Sequence, residues 1–156
     1  MSWVGERIYA GGGDHIPDDW RRFAESTGIT AILHLSPVAP ERFQGPLPAS
    51  FLWINLADEK QAGVEERWLA GSFISHCLAQ GQRVLLHSVL GRHRTRWAFV
   101  AYLMRSGAPV ADALRRAAQR PWLAPYYTDH AAWTAFAEHV RAQEDRLGEA
   151  LHSSLA

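Results

Sequence analysis

Apolar residues change their spacing several times along the chain, and each change marks an element. Residues 7–10 (RIYA) read as a short strand, which Gly11-Gly12-Gly13 ends. Pro17 opens a predicted helix reaching Thr27, with Trp20, Phe23 and Ala24 on one face and Gly28 as its stop. The β-branched, mostly apolar stretch 29–35 (ITAILHL) reads as a buried strand. Residues 36–50 carry Pro37, Pro40, Pro46 and Pro48 and cannot hold a long regular element, so a loop is expected there. A strand over 51–56 (FLWINL), a polar loop over 57–63, a helix over 64–80 stopped by Gly81, and a strand over 83–87 (RVLLH) follow. Helices are then predicted over 94–104, from Pro109 to about Gln119, and from about Thr128 onward, with a frayed tail after Leu151.

Strands that alternate with helices, then give way to helices alone, predict an α/β fold: one central, mainly parallel sheet flanked by helices on both faces. At 156 residues the chain suits a single domain, expected over residues 1–150 with 151–156 as the tail. Its 47% hydrophobic and 21% charged residues exclude a disordered, collagen-like or coiled-coil chain.

Charge narrows the choice of partners. Sixteen Lys plus Arg balance sixteen Asp plus Glu, so there is no chain-wide footprint for nucleic acid or an anionic membrane, and any anion site must be local. The single cysteine, Cys77, excludes an intrachain disulfide framework; it falls in the 64–80 helix near Phe73, Ile74 and Leu78 and is expected to be a buried, inert thiol. The first residues lack a basic segment followed by an apolar one, and the longest strongly apolar run, 97–104, is far too short to span a membrane. A cytoplasmic protein is expected. Eight histidines show no metal-ligand spacing, and the only lysine, Lys60, is not in a nucleotide-binding glycine loop, so neither metal nor cofactor is expected.

The chemistry gathers between the 83–87 strand and the helix after it, in His87-Ser88-Val89-Leu90-Gly91-Arg92-His93-Arg94-Thr95. A helix start presents unpaired backbone N–H groups and about half a positive charge, which suits an anion. Gly91 lets the loop bend, and Arg94 offers a planar fork for two phosphate oxygens. Residues 88–94 therefore make a candidate phosphate cradle, to which a phosphate or sulfate ion would bind.

This segment resembles the signature loop of the cysteine-dependent protein tyrosine and dual-specificity phosphatases, His-Cys-x-x-Gly-x-x-Arg-Ser/Thr, with Ser88 where that family has its nucleophilic cysteine. The similarity extends over about residues 5 to 140: Ile8-Tyr9-Ala10-Gly11 and the stretch 28–35 resemble the family's first strands, and Ala101-Tyr102-Leu103-Met104 and Arg120-Pro121 its later pattern. Asp58, thirty residues before Ser88, matches the family's general acid, with the adjacent Glu59 as rival. The resemblance implies a phosphotyrosine-phosphatase-like fold and a phosphocysteine intermediate formed at position 88. Arg94 would hold the equatorial oxygens, Asp58 would protonate the leaving oxygen, Thr95 would hydrogen-bond the sulfur anion and His87 would brace the loop.

Serine at position 88 disables that mechanism, because an alcohol, unlike a thiol, needs a base to take its proton. Phosphate binding should survive. With Asp58, Arg94 and Thr95 all retained, a Cys-to-Ser replacement that traps substrate is favoured over a natural pseudophosphatase that binds a phosphorylated partner. Expected ligands are phosphorylated proteins or small molecules. The run Gly91-Arg92-His93-Arg94-Thr95 also resembles atypical members of the family that act on inositol pyrophosphates, which keeps that substrate, and phosphoinositides, as alternatives. The seven tryptophans are expected mostly in the core, with Trp122 and Tyr126 as candidates for the rim of a cleft.

Overall fold

The computed structural model describes residues 1–13, 19–39, 46–125 and 127–155. Five strands form one sheet: β1 (Ser2–Gly5), β2 (Ile8–Gly11), β3 (Ile29–Leu35), β4 (Ser50–Ile54) and β5 (Arg83–His87), in the order β1-β2-β5-β3-β4. The four strands from β2 to β4 run parallel, and β1 pairs antiparallel with β2 at the edge. The predicted α/β class and mainly parallel sheet are present.

Side-chain alternation divides the core between the two faces of the sheet. Ile32 of β3 and Leu85 of β5 pack with Ile29 and Trp20 beneath α1 (Trp20–Thr27). The neighbouring positions Ala31, Leu33, Val84 and Leu86 face the larger cluster. That side is covered by α2 (Val64–Ala79), α3 (His93–Arg105), α4 (Val110–Ala118) and α5 (His130–Leu155). Ile29 and Ala31 fall on different faces because the β3–β5 register slips between them. Ten consecutive residues of α3, Thr95 to Met104, are buried, so α3 is the central helix of the thicker layer.

Boundaries differ from the sequence reading where a local cap decides them. Pro17 lies outside the described residues, and α1 begins at Trp20, where the Asp19 side chain accepts the Arg22 N–H at 3.1 Å. Gly28 stops α1 with φ +71°, as expected. β4 ends at Ile54 rather than residue 56, and the polar segment after it contains a 3-10 turn, Glu59–Gln61, capped by Asp58. Of the proline-rich stretch, 36–39 and 46–49 are irregular, and residues 40–45, with Pro40, lie outside the described part. Helix α5 continues through Leu155, past the tail predicted to fray, with the residues after Leu151 exposed. Cys77 is wholly buried, and burial pushes its thiol pKa up. The tryptophans divide: Trp20, Trp97 and Trp133 are core, whereas Trp3, Trp53 and Trp122 are exposed.

Candidate active site

Ligands of open α/β sheets bind at the carboxyl ends of the strands. Here the central strand β5 ends at His87, with β2 and β3 as its neighbours, and the segment 88–92 crosses from it into α3. Two backbone segments press together to shape this turn. Ser88 N donates to Gly11 O (3.3 Å), and Gly13 N donates to Val89 O (2.7 Å). A Cβ on Gly12 would lie 2.3 Å from the Leu90 carbonyl carbon, and one on Gly91 would lie 2.2 Å from that of Gly11. Gly91 also holds φ +66°, so both contact and conformation require glycine. The Gly11-Gly12-Gly13 run is therefore part of the site's framework as well as the end of a strand.

The start of α3 carries no side-chain cap and no acidic residue in its first turn. Arg94, a cation at this positive helix end, is disfavoured there unless an anion joins it. Ser88 is buried, and its Oγ accepts the Gly91 N–H at 3.0 Å. Thr95 Oγ1, in the first turn of α3, is buried with no hydrogen-bond partner among the described residues.

Asp58 comes to the same place from the other side. A cavity of about 290 Å³ is lined by Ala57, Asp58, Glu59, Ser88, Val89, Leu90, His93 and Arg94. Arg94 Nη1 donates to Leu56 O at 2.9 Å, which ties the helix start to the segment carrying the carboxylates. Asp58 is exposed, and its side chain accepts the Lys60 N–H at 2.9 Å. The far end of this turn is held by the buried Arg67, whose Nη1 donates to the Ala62 and Gly63 carbonyls and whose guanidinium lies 4.5 Å from the Trp133 ring centre.

Glu59 differs from its neighbour. Its Oε1 is buried without a hydrogen-bond partner among the described residues, and desolvation raises its pKa to about 7 against the pull of Arg96. It therefore keeps its proton over most of the acidic range.

Two of the basic residues in the sequence motif, Arg92 and His93, also bond to the segment 122–124. Arg92 Nε donates to Trp122 O (3.1 Å), and His93 Nδ1 lies 2.6 Å from Ala124 O. Trp122 Nε1 in turn donates to Gly91 O (2.6 Å), so the exposed Trp122 is a clasp on the loop. Tyr126 lies outside the described residues. Val89 and Leu90 are about half exposed and give the mouth of the cavity an apolar edge.

His87 is buried and stacked on His34 of β3, its register partner, with 3.0 Å between the two Nδ1 atoms. The sequence reading missed His34. The only signal was a histidine inside an otherwise apolar run, and its register opposite His87 emerges only from the pairing of β3 with β5.

This architecture is the dual-specificity phosphatase fold. The chain superposes on human DUSP28 with a TM-score of 0.73 at 19% identity, covering 92% of this chain and 99% of that one. PTPMT1, solved in complex with PI(5)P, gives 0.69 at 17% identity over 89% and 96%. The human tyrosine phosphatase-like serine/threonine/tyrosine-interacting protein gives 0.64 at 20% over 94% and 97%. No protein-family model and no curated protein matches the chain. No described helix is long and apolar enough to cross a membrane.

Proposed function

We propose that the loop 88–94 binds phosphate monoesters, and that this is a dual-specificity-type phosphatase whose turnover requires cysteine at position 88. The observation that carries the reading is the meeting of Ser88, Arg94 and Asp58 in one cavity at an uncapped helix start. With cysteine there, the thiolate attacks phosphorus and the bond from phosphorus to the leaving oxygen breaks. Arg94 binds the equatorial oxygens, and Asp58 gives its proton to the leaving oxygen. Water then attacks the phosphocysteine, Asp58 takes the water's proton, and phosphate and thiolate are released. Thr95 Oγ1, without a hydrogen-bond partner among the described residues, is available to donate to that thiolate. Glu59 is a second proton source on the same turn, and its raised pKa suits that task.

With Ser88 the chain binds phosphate and turns over little or not at all. The hydroxyl already accepts from Gly91, which does nothing to remove its proton. This holds whether Ser88 is a replaced cysteine or the mark of a natural pseudophosphatase. Retained Asp58, Arg94 and Thr95 favour the former.

The ligand this site suits best carries one phosphate on an apolar or aromatic body, in a phosphorylated protein or a small molecule. Val89 and Leu90 would meet that body, and the ties from Arg92 and His93 to 122–124 leave fewer side-chain donors for the additional phosphates of an inositol pyrophosphate. PTPMT1 with its bound PI(5)P keeps a phosphoinositide as the alternative.

Ser88→Cys, assayed on an aryl phosphate beside the unmodified chain and the Ser88→Cys/Asp58→Asn double variant, tests this. Turnover gained with cysteine and depressed by the Asp58 change is expected. Bound phosphate without any turnover in Ser88→Cys would make the chain a phosphate-recognition module instead.

A further inference from the structure

The hydrogen bonds between His34 and His87 constrain where their ring hydrogens sit. The two rings lie on adjacent parallel strands, both buried, with Nδ1 facing Nδ1 at 3.0 Å. His34 Nε2 lies 3.2 Å from the Val38 carbonyl oxygen, which only accepts, so this nitrogen carries a hydrogen. With His34 neutral, its Nδ1 is then a bare acceptor, and the hydrogen between the rings belongs to His87 Nδ1. For a neutral His87, that leaves no hydrogen on Nε2. Reading outward from one carbonyl fixes both tautomers.

One added proton changes the far end of this chain whichever ring takes it. If His34 takes it, His34 Nδ1–H donates to His87 Nδ1, and the hydrogen of His87 moves to Nε2. If His87 takes it, both of its nitrogens carry hydrogen. In either case His87 Nε2 turns from acceptor to donor. That nitrogen is shut off from solvent, one residue before Ser88.

We propose that His34 is a positioning residue, which holds His87 as the Nδ1–H tautomer with an accepting Nε2, and that uptake of one proton by the pair reverses this polarity beneath the anion loop. The consequence for ligand binding rests on the phosphate-site reading above; the tautomer assignment does not. The charged group acting on His34 is Arg94, from the start of α3, and the other titratable ring against it is His87. Burial first, and Arg94 second, lower the pKa of His34, against the opposing effect of the Val38 carbonyl. The reversal is therefore placed below the ordinary histidine range, and the accepting form holds at neutral pH.

Long-range 1H–15N correlation of the histidine rings, on the unmodified chain with resonances assigned by single His→Gln variants, reads the tautomers directly. At pH 7.5 the expected pattern is hydrogen on His34 Nε2 and on His87 Nδ1, with His87 Nε2 gaining one as the pH falls below the ordinary histidine range. In His34→Phe, His87 should lose its Nδ1–H preference, and tungstate binding, read by calorimetry, should weaken about 3- to 10-fold, the order of one neutral hydrogen bond. His34→Asn, whose amide oxygen can accept from His87 Nδ1–H, should restore both. A neutral His87 carrying its hydrogen on Nε2 in the unmodified chain would overturn the proposal without any variant needing to fold. So would an unchanged His87 tautomer in a folded His34→Phe. Absence of tungstate binding with the expected tautomers would instead count against the phosphate site and leave the hold of His34 on His87 standing.

Discussion

At residue 94 a guanidinium does two jobs that pull in one direction. Arg94 sits at the positive end of α3, which disfavours it, and reaches to the Leu56 carbonyl, which holds it beside Asp58 and Glu59 in the cavity. A bound phosphate removes the electrostatic penalty and suits the planar fork of the guanidinium. Arg94→Ala should therefore weaken phosphate or tungstate binding about 10- to 100-fold, the size of one or two hydrogen bonds to a charged group, measured by calorimetry. Arg94→Lys should recover only part of this, since it keeps the charge and loses the planar fork. An affinity unchanged in Arg94→Ala would remove the residue from the site. Residues of this kind were legible in the sequence because the loop is contiguous: His87, Ser88, Gly91, Arg94 and Thr95 lie within nine positions. Glu59 was legible only as a neighbour of Asp58, since its desolvation comes from burial against other elements, and His34 was not legible because its partner stands fifty-three residues away.

Elements were read well where period alone decides them. β3, β5 and the body of α2 fall where the apolar spacing places them. β1 was missed because its only strand partner is β2 and its burial is confined to Val4 and Gly5, too short a pattern to stand out. The close packing of the 11–13 segment against the 88–91 loop was equally hidden, since three glycines read as a breaker whatever they pack against. That packing has an energetic test. Gly91→Ala and Gly12→Ala each place a Cβ about 2.2–2.3 Å from backbone atoms that no side-chain rotation can relieve. Each should lose at least about 1–3 kcal/mol of stability, the usual cost of backbone strain, and should weaken tungstate binding as the loop shifts. Gly148→Ala is the control: it lies in α5 with open space around its Cβ position, and replacing a helical glycine there should stabilise by up to about 1 kcal/mol. Chemical denaturation of the three variants would rank them. Gly12→Ala as stable as the parent would show that the two segments are not packed against each other.

Over the whole molecule, two desolvated ionisable groups at the same end of the sheet give stability opposite dependences on pH. Glu59 has its folded pKa raised from 4.5 to about 7, so the folded chain holds more protons than the unfolded one between those values. Stability from this group is full below pH 4.5 and is lost as pH rises through 7. His34 has its pKa lowered from 6.5, so the unfolded chain holds more protons just below that value, and the stability tied to its neutral form is present above pH 6.5 and lost as pH falls. Just below pH 6.5 the two slopes oppose each other and flatten the profile of the parent chain. Glu59→Gln removes one of them. Its melting temperature relative to the parent should rise steadily from pH 4.5 to 7.5, and its own profile should climb with pH where that of the parent is flat. Calorimetric melts at half-unit pH steps would show this, and a constant offset between the two curves would mean that Glu59 titrates in the folded chain as it does in the unfolded one. The same residue lines the anion cavity, so added phosphate should hold its proton to higher pH and move the rise in the difference curve upward. The charge balance of the candidate site is thus coupled to the stability of the fold that builds it.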